Sequence, residues 1–258
     1  MMALHTGLVS VTFRKYSPLE VIDLVVKAGL EGIEWGGDIH VPPRNRLLAR
    51  EIGKLTIDAG LAVAAYGSYY RVGQTDQVPF EAVLETALEL DAPTIRVWAG
   101  TKNSADAAEE DWARIAADGK RIAELADAAG LTISYEFHDH TLTDQAVSAV
   151  RLLKMIKKLN VRSLWQTPLG LSVEECLDGL RRVLGWLGNV HVNCWNPGYT
   201  RLALREGQTD WMQYLQVIQS DSQDRYLMLE FVREDSPEAF FEDAQTLKEW
   251  LKNWQAAE

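Results

Sequence analysis

Eight times along this chain a short run of β-branched and aromatic residues gives way to a longer run with helical periodicity, and no other feature narrows the fold as far. The strand candidates are 8–13, 32–35, 61–66, 94–98, 131–137, 161–166, 189–194 and 226–231. Several helices between them have readable starts. Ser17-Pro18-Leu19-Glu20 is a capping box with proline at the first helical position, Ser172-Val173-Glu174-Glu175 repeats the box, and Ser236-Pro237 repeats the cap and proline. Ala28-Gly29-Leu30, Ala59-Gly60-Leu61 and Ala129-Gly130-Leu131 end helices on a glycine that runs straight into a strand.

Strands and helices alternating in one direction call for a parallel sheet covered by helices. A doubly wound open sheet alternates in the same way, but it carries a glycine-rich loop after its first strand. Val11-Thr12-Phe13-Arg14-Lys15-Tyr16 has none. Eight units in 258 residues therefore predict an α/β fold with one closed (β/α)₈ TIM barrel, a single domain over 1–258, with its active site at the C-terminal ends of the strands.

Composition removes several function classes. A formal charge of −11, from 37 acidic and 26 basic residues, opposes binding to a phosphate backbone, so no nucleic-acid partner is expected. The sequence has no unbroken apolar run of about eighteen residues, so no membrane partner is expected either. The first six residues lack the basic-then-apolar pattern of a secretory signal, and two cysteines, Cys176 and Cys194, are too few for a disulfide framework. The expectation is a cytoplasmic protein with reduced thiols. Trp112, Trp186, Trp211, Trp250 and Trp254 fall in helices as packing or interface residues, which leaves room for a homo-oligomer.

Strand parity then sorts the polar residues, because successive side chains point to opposite faces. In the fifth strand Leu131, Ile133, Tyr135 and Phe137 share the apolar face, so Glu136 turns into the barrel near its top. The same reasoning turns Glu34, Arg96, His191 and Glu230 inward, together with Gln166 if Val161, Ser163 and Trp165 face the helices. Unpaired buried carboxylates cost several kcal/mol, so such a ring is expected to be paired or to hold a metal. A salt bridge from Arg96 to Glu34 or Glu136 explains any one member. Four candidates on consecutive strands, Glu136, Gln166, His191 and Glu230, point to a divalent metal. Oxygen ligands with one imidazole suit Mn²⁺, Mg²⁺ or Co²⁺, with Zn²⁺ also compatible.

The chain resembles the xylose isomerase-like superfamily of sugar isomerases and epimerases, including D-tagatose 3-epimerase and hydroxypyruvate isomerase. The resemblance runs over nearly the whole chain, through Gly32-Ile33-Glu34, Arg96-Val97-Trp98-Ala99-Gly100, Tyr135-Glu136-Phe137-His138, His191-Val192 and Leu229-Glu230-Phe231. It implies metal ligands at Glu136, His191 and Glu230. The family's sixth-strand aspartate falls on Gln166, and a histidine three residues later falls on Leu169. It further implies that Glu136 and Glu230 act as base and acid on a carbon next to a carbonyl, passing through an enediolate of a sugar-like substrate.

Around that centre, Glu34 and His40 in the second βα unit, Arg71 after the third strand, and Arg96 are expected to contact substrate. Trp98 and Trp195 sit at strand ends, where aromatic faces stack on sugar rings, and His138 and His140 follow the fifth strand. Arg201 and Arg205 lie in the long loop after the seventh strand, placed to close over a substrate, while His5 belongs at the barrel bottom. Three other readings use the same barrel: a dehydratase or lyase on a keto-sugar or inosose, a sugar-binding barrel that has lost its metal, and a phosphodiesterase like the apurinic endonucleases. Five histidines and the acidic charge disfavour the last.

Overall fold

The computed structural model describes residues 3–196 and 198–255, with the side chains of 253–255, Trp254 among them, outside that description. The eight strands are β1 (Leu4–Val9), β2 (Gly32–Gly36), β3 (Ala62–Arg71), β4 (Thr94–Trp98), β5 (Thr132–Glu136), β6 (Val161–Trp165), β7 (Leu187–Val192) and β8 (Arg225–Leu229). They pair in sequence order, all parallel, and β8 closes on β1. The helices α1 (Pro18–Ala28), α2 (Arg46–Asp58), α3 (Phe80–Leu90), α4 (Glu109–Ala128), α5 (Ala146–Ile156), α6 (Val173–Val183), α7 (Gln208–Ile218) and α8 (Pro237–Gln255) lie between successive strands and after the last. This is the (β/α)₈ TIM barrel that the alternation predicts.

The local signals act as read. Ser17 and Ser172 each close a reciprocal capping box, with Glu20 and Glu175, and the Ser236 hydroxyl accepts from the Ala239 amide. Gly29, Gly60 and Gly130 all have positive φ at the turn from helix to strand. Between sheet and helices lies the main core, where Trp35 and Trp165 are fully buried and the Trp35 indole donates to the Thr56 hydroxyl of α2 at 3.1 Å. A smaller cluster of Val9, Val11, Ala64 and Met228 fills the barrel interior. Cys176 and Cys194 are free thiols. No helix among the described residues is long and apolar enough to cross a membrane.

Strand boundaries differ from the sequence reading, most of all in β1, β3 and β7. The first strand runs over Leu4–Val9, and Ser10–Phe13 forms a 3₁₀ turn, because β1 is held in register with β8 from Leu4 opposite Arg225 to Leu8 opposite Leu229. His5 is therefore inside the strand, at its lower end beside Glu31. β3 continues to Arg71 through an irregular pairing with β4 between Gly67 and Tyr70, which places Arg71 on a strand end rather than in a loop. β7 begins two residues early and stops at Val192, so Asn193 lies just above it.

α2 and α3 approach closely at Gly53. A Cβ there would stand 2.5 Å from the Leu90 carbonyl oxygen, a backbone atom that cannot step aside. Gly53→Ala is expected to destabilise the fold by roughly 1–3 kcal/mol, read as a lower urea midpoint. An unchanged midpoint would show that the two helices separate without cost.

Candidate metal centre

β5 ends on Glu136, β7 carries His191 one residue before its end, and Glu230 directly follows β8. Inward parity at the top of three strands brings these side chains together, 3%, 0% and 5% exposed. One ligand atom from each lies within 4.8 Å of the others, the grouping of metal-ligand side chains found among the described residues. His191 Nδ1 stands 3.3 Å from Glu230 Oε2 and 3.9 Å from Glu136 Oε1, yet it is buried without a hydrogen-bond partner. Its other ring nitrogen, Nε2, faces Glu34 Oε2 at 3.2 Å. An imidazole held by a carboxylate on one side, with a bare nitrogen aimed at two more carboxylates, has the form of a metal ligand with its orienting partner.

The charges make the same point. Three buried carboxylates, Glu34, Glu136 and Glu230, share one buried cation, Arg96. That leaves a net charge of about −2 in a region where unpaired charge costs several kcal/mol. A divalent cation beside a neutral His191 brings the sum to zero. Without one the demand falls on His191 itself. Burial lowers its pKa, but Glu230 and Glu34 outweigh burial and raise it to about 10. The residues present therefore fit a divalent cation.

Arg96 holds the acidic groups apart. Its Nε donates to Glu34 Oε1 at 2.6 Å, its Nη1 donates to Glu136 Oε2, and its guanidinium lies 5.0 Å from the ring centre of Tyr69. Gly67 on β3 makes room for this pair, since a Cβ there would meet Arg96 Nη2 at 2.5 Å and Glu34 Oε1 at 2.9 Å. Burial alone would raise the Glu34 pKa, but Arg96 and His191 overcome it and hold the group at about 2.

The other expected site residues separate into two sets. Trp98 donates from Nε1 to Glu136 Oε2, Arg71 stacks over its indole at 4.2 Å, and the His138 ring lies 4.6 Å away. A cleft of about 350 Å³ opens above the strand ends, lined by Phe137, His138, Gln166, Asn193, Trp195 and Phe231, among others. Arg201 crosses the Trp195 and Phe231 rings and pairs with Asp235, while His140 and Arg205 are exposed. Three residues expected to touch substrate are engaged within the protein, and Arg96, buried between Glu34 and Glu136, is one of them. Glu34 is fully buried beneath the centre and engaged with Arg96 and His191. His40 uses both ring nitrogens, on the Ser10 hydroxyl at 3.0 Å and the Tyr16 carbonyl at 3.1 Å, so neither is left for a ligand.

Gln166, expected as a ligand, lies against Glu136. Its side-chain nitrogen donates to the Phe137 carbonyl at 2.7 Å and to Glu136 Oε1 at 3.3 Å. A backbone carbonyl can accept but not donate, so the amide end that meets it is the NH₂, and this contact sets which end of the amide faces Glu136. Gln166 thus stands beside the cluster as a donor. The sequence reading also missed the orienting role of Glu34, the space made by Gly67, and Tyr69, which sits at φ 58° under Arg96. Parity had pointed to Glu34, but nothing in a single chain shows that β3 must be bare at Gly67.

Replacing Arg96 with leucine would strand Glu34 and Glu136, and a loss of roughly 3–5 kcal/mol is expected in urea denaturation. A loss below about 1 kcal/mol would mean that the pairs contribute little. Because the folded pKa of Glu34 lies below its unfolded value, its ionised form stabilises the fold above about pH 4.5, and this contribution is lost as pH falls towards about 2. Glu34→Gln should flatten that acid limb, and an unaltered limb would assign acid unfolding to other groups.

Comparisons with known proteins agree with this architecture. The sequence profile of the xylose isomerase-like TIM barrel family matches residues 22–254. No curated protein sequence matches the chain. Among solved structures, the probable 3-DHS dehydratase AsbF from Bacillus anthracis superposes with a TM-score of 0.80 at 20% identity, covering 95% of this chain and 99% of that one. D-psicose 3-epimerase from Clostridium cellulolyticum H10, solved with D-tagatose, gives 0.73 at 17% identity, covering 97% and 99%. A xylose isomerase-like TIM barrel protein from Mycobacterium smegmatis, in complex with magnesium, gives 0.73 at 13% identity and covers 97% of each chain. These likenesses are of fold. With the family profile matched over residues 22–254, the chain belongs to the xylose isomerase-like TIM barrel family.

Proposed function

We propose that this protein is a divalent-metal-dependent isomerase or epimerase of a sugar or sugar derivative, moving a proton on a carbon next to a carbonyl through an enediolate. The observation that carries the reading is the unpartnered, buried His191 Nδ1 aimed between Glu136 and Glu230 in a region of net negative charge. Glu136, His191 and Glu230 would hold the cation, in keeping with the magnesium complex of the Mycobacterium smegmatis relative. Mn²⁺, Mg²⁺ and Co²⁺ suit the two carboxylates and one imidazole, and Zn²⁺ is compatible. Such a cation supplies a Lewis acid for a substrate carbonyl.

The chain's own residues do the rest. Glu34 holds the His191 ring by Nε2, and Arg96 holds Glu34 and Glu136 at fixed positions. Glu136 and Glu230 are the acid–base candidates nearest the cleft, and general acid–base groups of this kind contribute about 10²–10⁴-fold to a rate. His138 and Trp195 line the cleft and offer ring faces to a sugar-like molecule, Trp98 packs against His138, and Arg71, stacked on Trp98, offers a cation to any anionic group on it. A second reading, a dehydratase on a keto-sugar or inosose, begins with the same proton abstraction, and the superposition on the probable 3-DHS dehydratase favours keeping it. The partner in either case is a small carbohydrate-like molecule.

Titration with Mn²⁺, followed by electron paramagnetic resonance, tests the centre directly. One tight site per chain is expected, lost in His191→Ala and weakened about 10–100-fold in Glu34→Gln, which removes the partner of Nε2. Binding that is absent from the native protein would favour a sugar-binding barrel without metal, and binding intact in His191→Ala would overturn His191 as a ligand.

A further inference from the structure

The two glutamates of the centre are hydrogen-bonded very unequally. An ionised carboxylate offers about four lone-pair positions. At Glu136, Arg96 Nη1 and Trp98 Nε1 both donate to Oε2, and Gln166 Nε2 donates to Oε1 at 3.3 Å. The remaining position is on Oε1, the oxygen that faces His191 Nδ1 across 3.9 Å, where a cation would lie. Nothing is left to receive a proton from a substrate. The Glu230 carboxylate, in contrast, receives none of these donors; its close polar neighbour is His191 Nδ1, 3.3 Å from Oε2. It follows directly on β8, and its neighbours Phe231 and Asn193 line the cleft.

We infer that Glu230 is the one proton-transferring carboxylate of this site, that Glu136 is a fixed ligand, and that the protein catalyses same-face proton transfer or elimination rather than epimerisation. This rests on the enolising reading above and divides the roles that it leaves shared. A single base returns a proton to the face from which it came, whereas inversion needs a donor on the opposite face. Glu230 removes the proton from the carbon next to the carbonyl, and the C–H electron pair becomes the C=C bond of an enediolate as the carbonyl oxygen takes the charge. In a 1,2-transfer, the adjacent hydroxyl passes its proton to that oxygen. Glu230 then delivers its own proton to the former carbonyl carbon on the same face, and a carbonyl forms at the neighbouring position. In the elimination branch, the proton on Glu230 goes to a departing β-hydroxyl, which leaves as water. Neither route needs an oxidant or a reductant.

Three donors on Glu136 also explain what Gln166 does in this chain. An aspartate in its place could not donate to Glu136 Oε1, so the amide completes the set of donors that occupies this carboxylate. Gln166 is a positioning residue for Glu136.

The test uses the Mn²⁺-loaded full chain in D₂O with D-fructose, D-tagatose and an inosose, read by NMR. Deuterium is expected to enter a carbon next to the carbonyl, while the epimer at that carbon forms at least about tenfold more slowly, and Glu230→Gln should slow entry by about 10²-fold or more. An epimer that keeps pace with deuterium entry would overturn the inference, as would wild-type exchange by a folded Glu230→Gln. The stereochemical comparison needs only the native protein, so it decides the matter even if that variant fails to fold. Absence of exchange with all three compounds, with Mn²⁺ shown bound, would instead overturn the enolising reading itself.

Discussion

Arg96 and Glu34 meet inside the barrel, where neither reaches water, and Glu136 and His191 take their places from that pair. The guanidinium ties β4 to β2 through Glu34 and to β5 through Glu136. Glu34 in turn reaches across the lumen to His191 on β7. Four strands are thereby joined by charged contacts in a region where an unmatched charge would cost several kcal/mol. Such an arrangement is worth little as a source of stability, since packed hydrophobic residues would serve as well. What it provides is position: the imidazole is turned with one nitrogen bare, and one glutamate is immobilised while the other stays free.

That difference between the glutamates follows from their neighbours rather than from their type. Glu136 stands next to the strand that carries Arg96 and Trp98 on one side and to Gln166 on the other, so donors reach it from both directions. Glu230 closes the barrel beside β1, whose upper end carries Val9 and the 3₁₀ turn over Ser10–Phe13. Thr12 from this turn binds the Phe231 amide, not the Glu230 carboxylate. The aromatic groups above the strands complete the division: Trp98 is committed to Glu136 below, while Trp195 and Phe231 frame the cleft on the side of Glu230.

Much of the site was legible because a barrel strand has only two faces. Period-two alternation placed Glu34, Arg96, Glu136, His191 and Glu230 in the lumen without knowledge of any contact, and the structure puts all five there. Even the salt bridge weighed as the plain explanation of Arg96 is present, to both glutamates at once. Parity says nothing about depth, however. Glu34 and Glu136 point the same way, but one lies beneath the centre and the other in it. Nor does parity reach beyond the strand ends, which is why His40 was assigned to the pocket although its ring is tied to Ser10 and Tyr16.

By itself, the sequence determined the elements, their direction and their inner faces, because capping boxes, glycine stops and alternation are local and need only neighbouring residues. Tertiary structure decided which inward groups meet. The stagger of β1 against β8, the irregular pairing that carries β3 to Arg71, and the bare α-carbon of Gly67 bring residues far apart in the chain to bonding distance. Those are properties of closure. A strand shows its faces before it has a partner, but a hydrogen bond between Gln166 and Glu136 exists only once the sheet has joined its edges.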